Sequence, residues 1–353
     1  MILYEFWERD INMTKFIELH REFLKKIENN DFHQETLYLD SLEITDEDIS
    51  LLMSSLKKNI HIKHLILSDN YISNLGAMAL ANLGADDFSK VKRLDLSRNY
   101  IQQQGAQFLA KGHFEALILN GNPLGDDGIK YFSDNTTLLE LGASECGITD
   151  IGVSEILKNE TINTLNLGYN RITVESLKKL GENNQLIHLC LNENALGDVG
   201  IEYLAENKVL KSLHLCNNQL GNEGAKKIAD GFPSLEELWL TSNKVGNEGA
   251  IALSKHPQLR RVCLIENETD QITEIILNQD DSTESSEFTS DNITKELEDL
   301  ILINQKESQI NIGENDSSYK ALTYHFKKMS SSIALPAGSS SVQLNNVRAD
   351  MSN

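Results

Sequence analysis

The sequence predicts an α/β solenoid, with short parallel strands side by side in one inner sheet and a helix returning along the outside of each unit. Two observations carry that prediction. Residues 186–258 read as three aligned stretches, LIHLCLNENALGDVGIEYLAENKV, LKSLHLCNNQLGNEGAKKIADGFPS and LEELWLTSNKVGNEGAIALSKHPQ. Each has apolar residues at positions 1, 4 and 6, Asn at 9, an apolar residue at 11 and Gly at 15. Self-similarity at a fixed period marks a repeat architecture. Within each stretch the apolar period also changes from two, as in a half-buried strand, to a helical one.

Each position has a physical role. Leu189 and Leu191, Leu213 and Leu215, and Leu238 and Leu240 are the inward strand residues. Asn194, Asn218 and Asn243 stand where the chain leaves the strand, and a buried amide there can satisfy backbone groups of its own and adjacent units. Gly200, Gly224 and Gly249 open the helix, where a missing side chain permits close approach. Asp198, Asn222 and Asn247, two residues earlier, are expected to be the helix N-caps. One unit cannot bury its own apolar face, but a stack of units builds a continuous core.

The pattern L-x-x-L-x-L-x-x-N-x-L, followed by a helix, resembles the leucine-rich repeat family in its ribonuclease-inhibitor-like form. The resemblance implies a curved horseshoe with an inner parallel β-sheet and outer helices.

Residues 1–33 precede the repeats. Phe16, Ile17, Phe23, Leu24 and Ile27 share a helical face, which reads as a helical N-terminal cap over the exposed end of the core. Ten repeats span residues 34–277. They begin near Gln34 and restart near Ile62, Val91, Phe114, Leu138, Ile162, Leu186, Leu210, Leu235 and Leu259. Extra residues at Lys57–His61 and Ala85–Lys90 are expected to lengthen the first helices or their exits. Leu42 and Cys146 replace the Asn, and Ser176 replaces the Gly, where a slightly wider fit is expected. Ile272, Ile275 and Ile276 are read as one helical face that finishes the core. Residues 278–290 (NQDDSTESSEFTS) read as an acidic polar linker, 291–329 as a helical segment, and 330–353 as a disordered tail.

The chain carries a net charge of −21. Nucleic acid and anionic membrane demand phosphate-neutralising cations, so the expected partner is a neutral or basic protein. No apolar run reaches the ~20 residues that cross a bilayer. Acidic residues early in MILYEFWERD argue against a secretory leader, and four scattered cysteines fit a reducing, cytoplasmic setting. A monomer with no cofactor and no enzymatic activity is expected. Phosphate-binding glycine loops, G-x-S-x-G and H-E-x-x-H do not occur.

Residues beside the strand leucines are expected to point away from the helices, on the concave face of the solenoid, where a partner protein would bind. There Trp239, flanked by Arg261, Glu237 and His214, is the best candidate binding patch, because interface anchors are enriched in Trp, Tyr and Arg. His188, Tyr169, Glu193 and Asn217 extend it. His188, Cys190, His214 and Cys216 form two His-Leu-Cys triplets that invite a zinc or thiol-nucleophile reading. The triplets are one column out of step, so ordinary surface occupancy is favoured.

These features read as a protein-interaction scaffold. The chain also resembles effectors that intracellular bacteria inject into host cells. Some of those carry a cysteine-dependent ubiquitin ligase after their repeats, but no cysteine follows Cys263. An alternative resemblance, to the activating proteins of the nuclear-transport GTPase, makes Arg93 and Arg98 candidate contacts.

Overall fold

A computed structural model of the chain describes residues 21–85 and 90–269, together with the backbone of 274–276. The proposed linker, C-terminal helical segment and tail lie outside the described residues, as do Phe16 and Ile17 of the cap.

The chain enters through α1 (Arg21–Glu28), which packs on α2 (Asp46–Leu56) and buries Leu24 and Ile27. Ten three-residue strands follow: β1 (Thr36–Tyr38), β2 (His64–Ile66), β3 (Arg93–Asp95), β4 (Ala116–Ile118), β5 (Glu140–Gly142), β6 (Thr164–Asn166), β7 (His188–Cys190), β8 (Ser212–His214), β9 (Glu237–Trp239) and β10 (Arg261–Cys263). They form one parallel sheet in sequential order. The central leucines, from Leu37 through Leu213 to Leu238, are in register and fully buried. Behind them lie α3 (Asn74–Ala85), α4 (Gln103–Leu109), α5 (Gly125–Ile129), α6 (Asp150–Ile156), α7 (Val174–Glu182), α8 (Gly197–Leu204), α9 (Asn222–Asp230) and α10 (Asn247–Ser254). In the first two repeats α2 and α3 run to 11 and 12 residues, with Lys57–His61 following the end of α2 and residues 86–89 lying outside the described residues. No helix among the described residues is long and apolar enough to cross a membrane.

The asparagine ladder works as a bridge between units. Nδ2 of Asn243 donates to the carbonyls of Leu215 and Leu240 at 2.9 Å, while its Oδ1 accepts from the amides of Asn218 and Leu220 at 3.0 Å. Asn70, Asn99 and Asn194 repeat the pattern. Cys146 keeps only the donor half, reaching the carbonyls of Leu119 and Ser144. The amide of Leu124, which an Asn at 146 would serve, turns instead to the carbonyl of Asn122 at 2.8 Å.

A second ladder runs along the other side of the stack, where each helix returns to the next strand. Oδ1 of Asn59, Asn135, Asn159, Asn183 and Asn207 accepts from the amides two and three residues on. In the ninth unit His256 takes this place. Its Nδ1 accepts from the amides of Gln258 and Leu259, so Nε2 carries the proton and donates to the carbonyls of Gly231 and Phe232 at 3.2 Å.

The helix caps differ from the sequence expectation. Asp198 and Asn222 do not cap their own helices; each caps the helix of the following unit. Oδ1 of Asp198 accepts from Gly221 at 2.7 Å, and Oδ1 of Asn222 from Gly246 and Gly249 at 2.8 and 2.9 Å. Asn247 likewise sits inside α10, whose N-cap is Gly246. Asp46, Asn74 and Asp126 also serve the next unit. This explains the glycine column, because a Cβ on Gly224 would collide with Oδ1 of Asp198. Ser176 does not mark a wider fit. Its buried hydroxyl donates to Oδ1 of Asp150, turning that collision into a hydrogen bond. Burial works to raise the Asp150 carboxyl, but hydrogen bonds from Ser176 and Thr173 outweigh it and hold the group below its usual range.

The sheet ends differently as well. Glu274–Ile276, read as part of a helical face, forms a strand (β11) antiparallel to β10. Three isoleucines are too few to distinguish a helical period from a short β-branched run, and the unpaired edge of β10 favours the strand.

Candidate interaction surface

Alternation along each strand turns the residues on either side of the central leucine away from the helices. In-register stacking then sorts them into rows. Glu237 and Arg261 are register partners in one row, alongside Ser212 and His188. The next row runs Cys190, His214, Trp239, Cys263. His214 and Trp239 stack, with ring centroids 5.5 Å apart and planes 10° from parallel. The indole is partly exposed, while its Nε1 is buried with no hydrogen-bond partner among the described residues. Oγ of Ser212 lies 3.3 Å from Nε2 of His214. Burial, reinforced by His188, pushes the His214 imidazole down to about 3, so it is neutral at physiological pH.

Tyr169, Glu193 and Asn217 lie in a third row, at the turn just beyond the strands. The residue before the ladder Asn, or before its replacement, has positive φ in all ten units, between +52° and +68° from Ser41 to Glu266. A non-glycine residue in that conformation costs roughly 1 kcal/mol. The backbone recovers it by extending the sheet: the amide of Tyr169 bonds the carbonyl of Asn192 at 2.7 Å, and that of Glu193 bonds Cys216 at 2.9 Å. Asn217 donates to the Glu193 carboxylate across the turn. Burial, then the charge of Glu193, raises the Tyr169 phenol to about 12. Sequence reasoning missed the left-handed turn, for which Gly121 was the sole compositional sign.

The predicted patch thus resolves into three parallel rows on neighbouring strands and turns, with the stacked pair in the middle. The thiols nearby are held neutral. Burial pushes Cys190 far up and Cys216 up to about 11. Among the described residues, no three His, Cys, Asp or Glu side chains converge as a metal site. Arg93 and Arg98 are both engaged. Arg93 makes a two-pronged contact with Glu140, and Nε of Arg98 lies 2.9 Å from Asp69.

Five segments, residues 58–81, 113–133, 158–181, 206–229 and 233–254, match a family model described as "Leucine Rich repeat". Each contains one whole strand of the sheet and the start of the helix behind it. Among solved structures, the chain is similar to "Leiomodin-1 Actin-Binding Site 2 (ABS2)", with 22% identity over 37% of this chain and 80% of that one, and a TM-score of 0.31. No curated protein matches the chain.

Proposed function

We infer that this chain, a leucine-rich repeat protein, is a non-enzymatic scaffold that grips a partner protein on the strand face around Trp239. The observation that carries the reading is the His214–Trp239 stack, a partly exposed aromatic pair set beside the Glu237–Arg261 row. Large rigid rings supply contact area at low entropic cost, and flanking charges fix register. The net charge of −21 favours a neutral or basic partner. A pull-down from cell lysate with the intact chain and with Trp239→Ala tests it. A specific protein held by the first and lost by the second supports the assignment, and equal retention overturns it.

The finer reading is a ribonuclease-inhibitor-like repeat protein that bacteria deliver into host cells, acting in the host cytosol. Its support is the resemblance of the repeats and of the polar C-terminal sequence, together with four cysteines that stand as free thiols. Delivery measured with residues 330–353 removed tests this, and unchanged delivery counts against it. The GTPase-regulator alternative draws no support from Arg93 and Arg98, since both guanidinium groups are spent on internal ion pairs.

A further inference from the structure

The turn row is filled by a side chain in every unit but one. At the fourth unit it holds Gly121, between Arg98 of the third and Glu145 of the fifth. The Cγ of Arg98 lies over Gly121, within 2.9 Å of where a Cβ would stand, but the loop positions beyond it are bare. A Cβ built on Gly125 or Gly147 would meet nothing within 4 Å. The result is a notch of about 510 Å³, floored by these glycines and Pro123 and walled by Arg98 and Glu145. Units are spaced ~4.8 Å apart, so the backbones that carry Arg98 and Glu145 stand about 10 Å apart along the turn row.

We propose that this notch is a second recognition site, independent of Trp239, and that it takes a lysine or arginine side chain of a partner protein. The two walls are not equivalent. Arg98 is already neutralised by Asp69. Glu145 makes no ion pair among the described residues and is exposed. The charge offered to a visitor is therefore the carboxylate. The bare floor at Gly125 and Gly147 admits the aliphatic stem of a long basic side chain while its head reaches Glu145. A chain of net charge −21 draws such partners toward it.

The test uses the full chain and a tripeptide probe, Ac-Gly-Arg-Gly-NH2, titrated while backbone amide resonances are followed. The same peptide with citrulline in place of arginine keeps the shape and removes the charge. The expected result is saturable shifts centred on Gly121, Gly125 and Gly147, weakened about fivefold by citrulline or by Glu145→Gln, as a partly exposed ion pair of about 1 kcal/mol requires. Trp239→Ala should leave them unchanged. Shifts that are absent from the notch, or that are as strong with the citrulline peptide and with Glu145→Gln as with the arginine peptide and the parent chain, overturn the proposal.

Discussion

Arg93 and Glu140 join the third strand to the fifth, their side chains meeting across β4, where Ala116 is the residue in register with both. Each is only 13% exposed. Alanine is the one residue in that row of the early sheet small enough to leave the pair a direct path. Removing one partner strands a largely desolvated charge. Arg93→Ala and Glu140→Ala are each expected to cost about 2 kcal/mol, and the double variant much less than the sum. Urea unfolding of the four proteins checks this, and additive losses would contradict it.

His256 is expected to tolerate only a residue that both accepts and donates at its place in the second ladder. His256→Asn, which recreates the group found in five earlier units, should unfold within about 0.5 kcal/mol of the parent. His256→Leu leaves the amides of Gln258 and Leu259 and two carbonyls without this partner and should cost about 2 kcal/mol. Equal losses in urea melts would mean that the ring acts through packing alone.

The glycine column is coupled to the cap of the preceding unit. Gly224→Ala and Asp198→Ala should each destabilise the protein, the first by collision and the second by loss of the cap to Gly221. The double variant removes the collision, so its loss should fall short of the sum by about 1 kcal/mol. Strict additivity in thermal or chemical unfolding would show that the column has another cause.

Stability should rise with pH through the His214 window. The unfolded imidazole titrates near ~6.5, the folded one near about 3. Between those values the unfolded state binds more protons, so acid favours unfolding, with a limiting slope of about 1.4 kcal/mol per pH unit. The stabilisation is complete above the unfolded value and is lost progressively below it. His214→Gln should flatten the dependence between pH 6.5 and 4, as read from urea midpoints. An unchanged slope would place the imidazole in solvent.

Much of this fold is legible in the residues because each repeat poses the same problem. Strand leucines must face one way, and Asn243 and its counterparts must satisfy both their own turn and the previous one. The second ladder was equally readable, as Asn-x-x-Leu or Asn-x-x-Ile at Asn135–Leu138, Asn159–Ile162 and Asn207–Leu210. His256 hid it in the ninth unit by doing the same work with a different ring. The caps were misplaced because a side chain two residues before a glycine looks local, whereas its partner amide lies 23 residues away in the case of Asp198. Arg93 and Glu140 are 47 residues apart, and only register across an intervening strand shows that they meet. Of the candidate surface, the residues were visible as a column pattern. The His214–Trp239 stack needed the register, and the notch at Gly121 needed the left-handed turn.

The central claim, that recognition happens on the strand face and not on the helices, is tested most directly by site-specific photo-crosslinking in cell lysate. A benzophenone amino acid replaces His188 on the strand face in one protein and Glu202 on the exposed side of α8 in another. The account predicts one discrete protein adduct from position 188, absent when Trp239→Ala is combined with it, and none from position 202. An adduct formed only from position 202, or the same adduct from both, would contradict it.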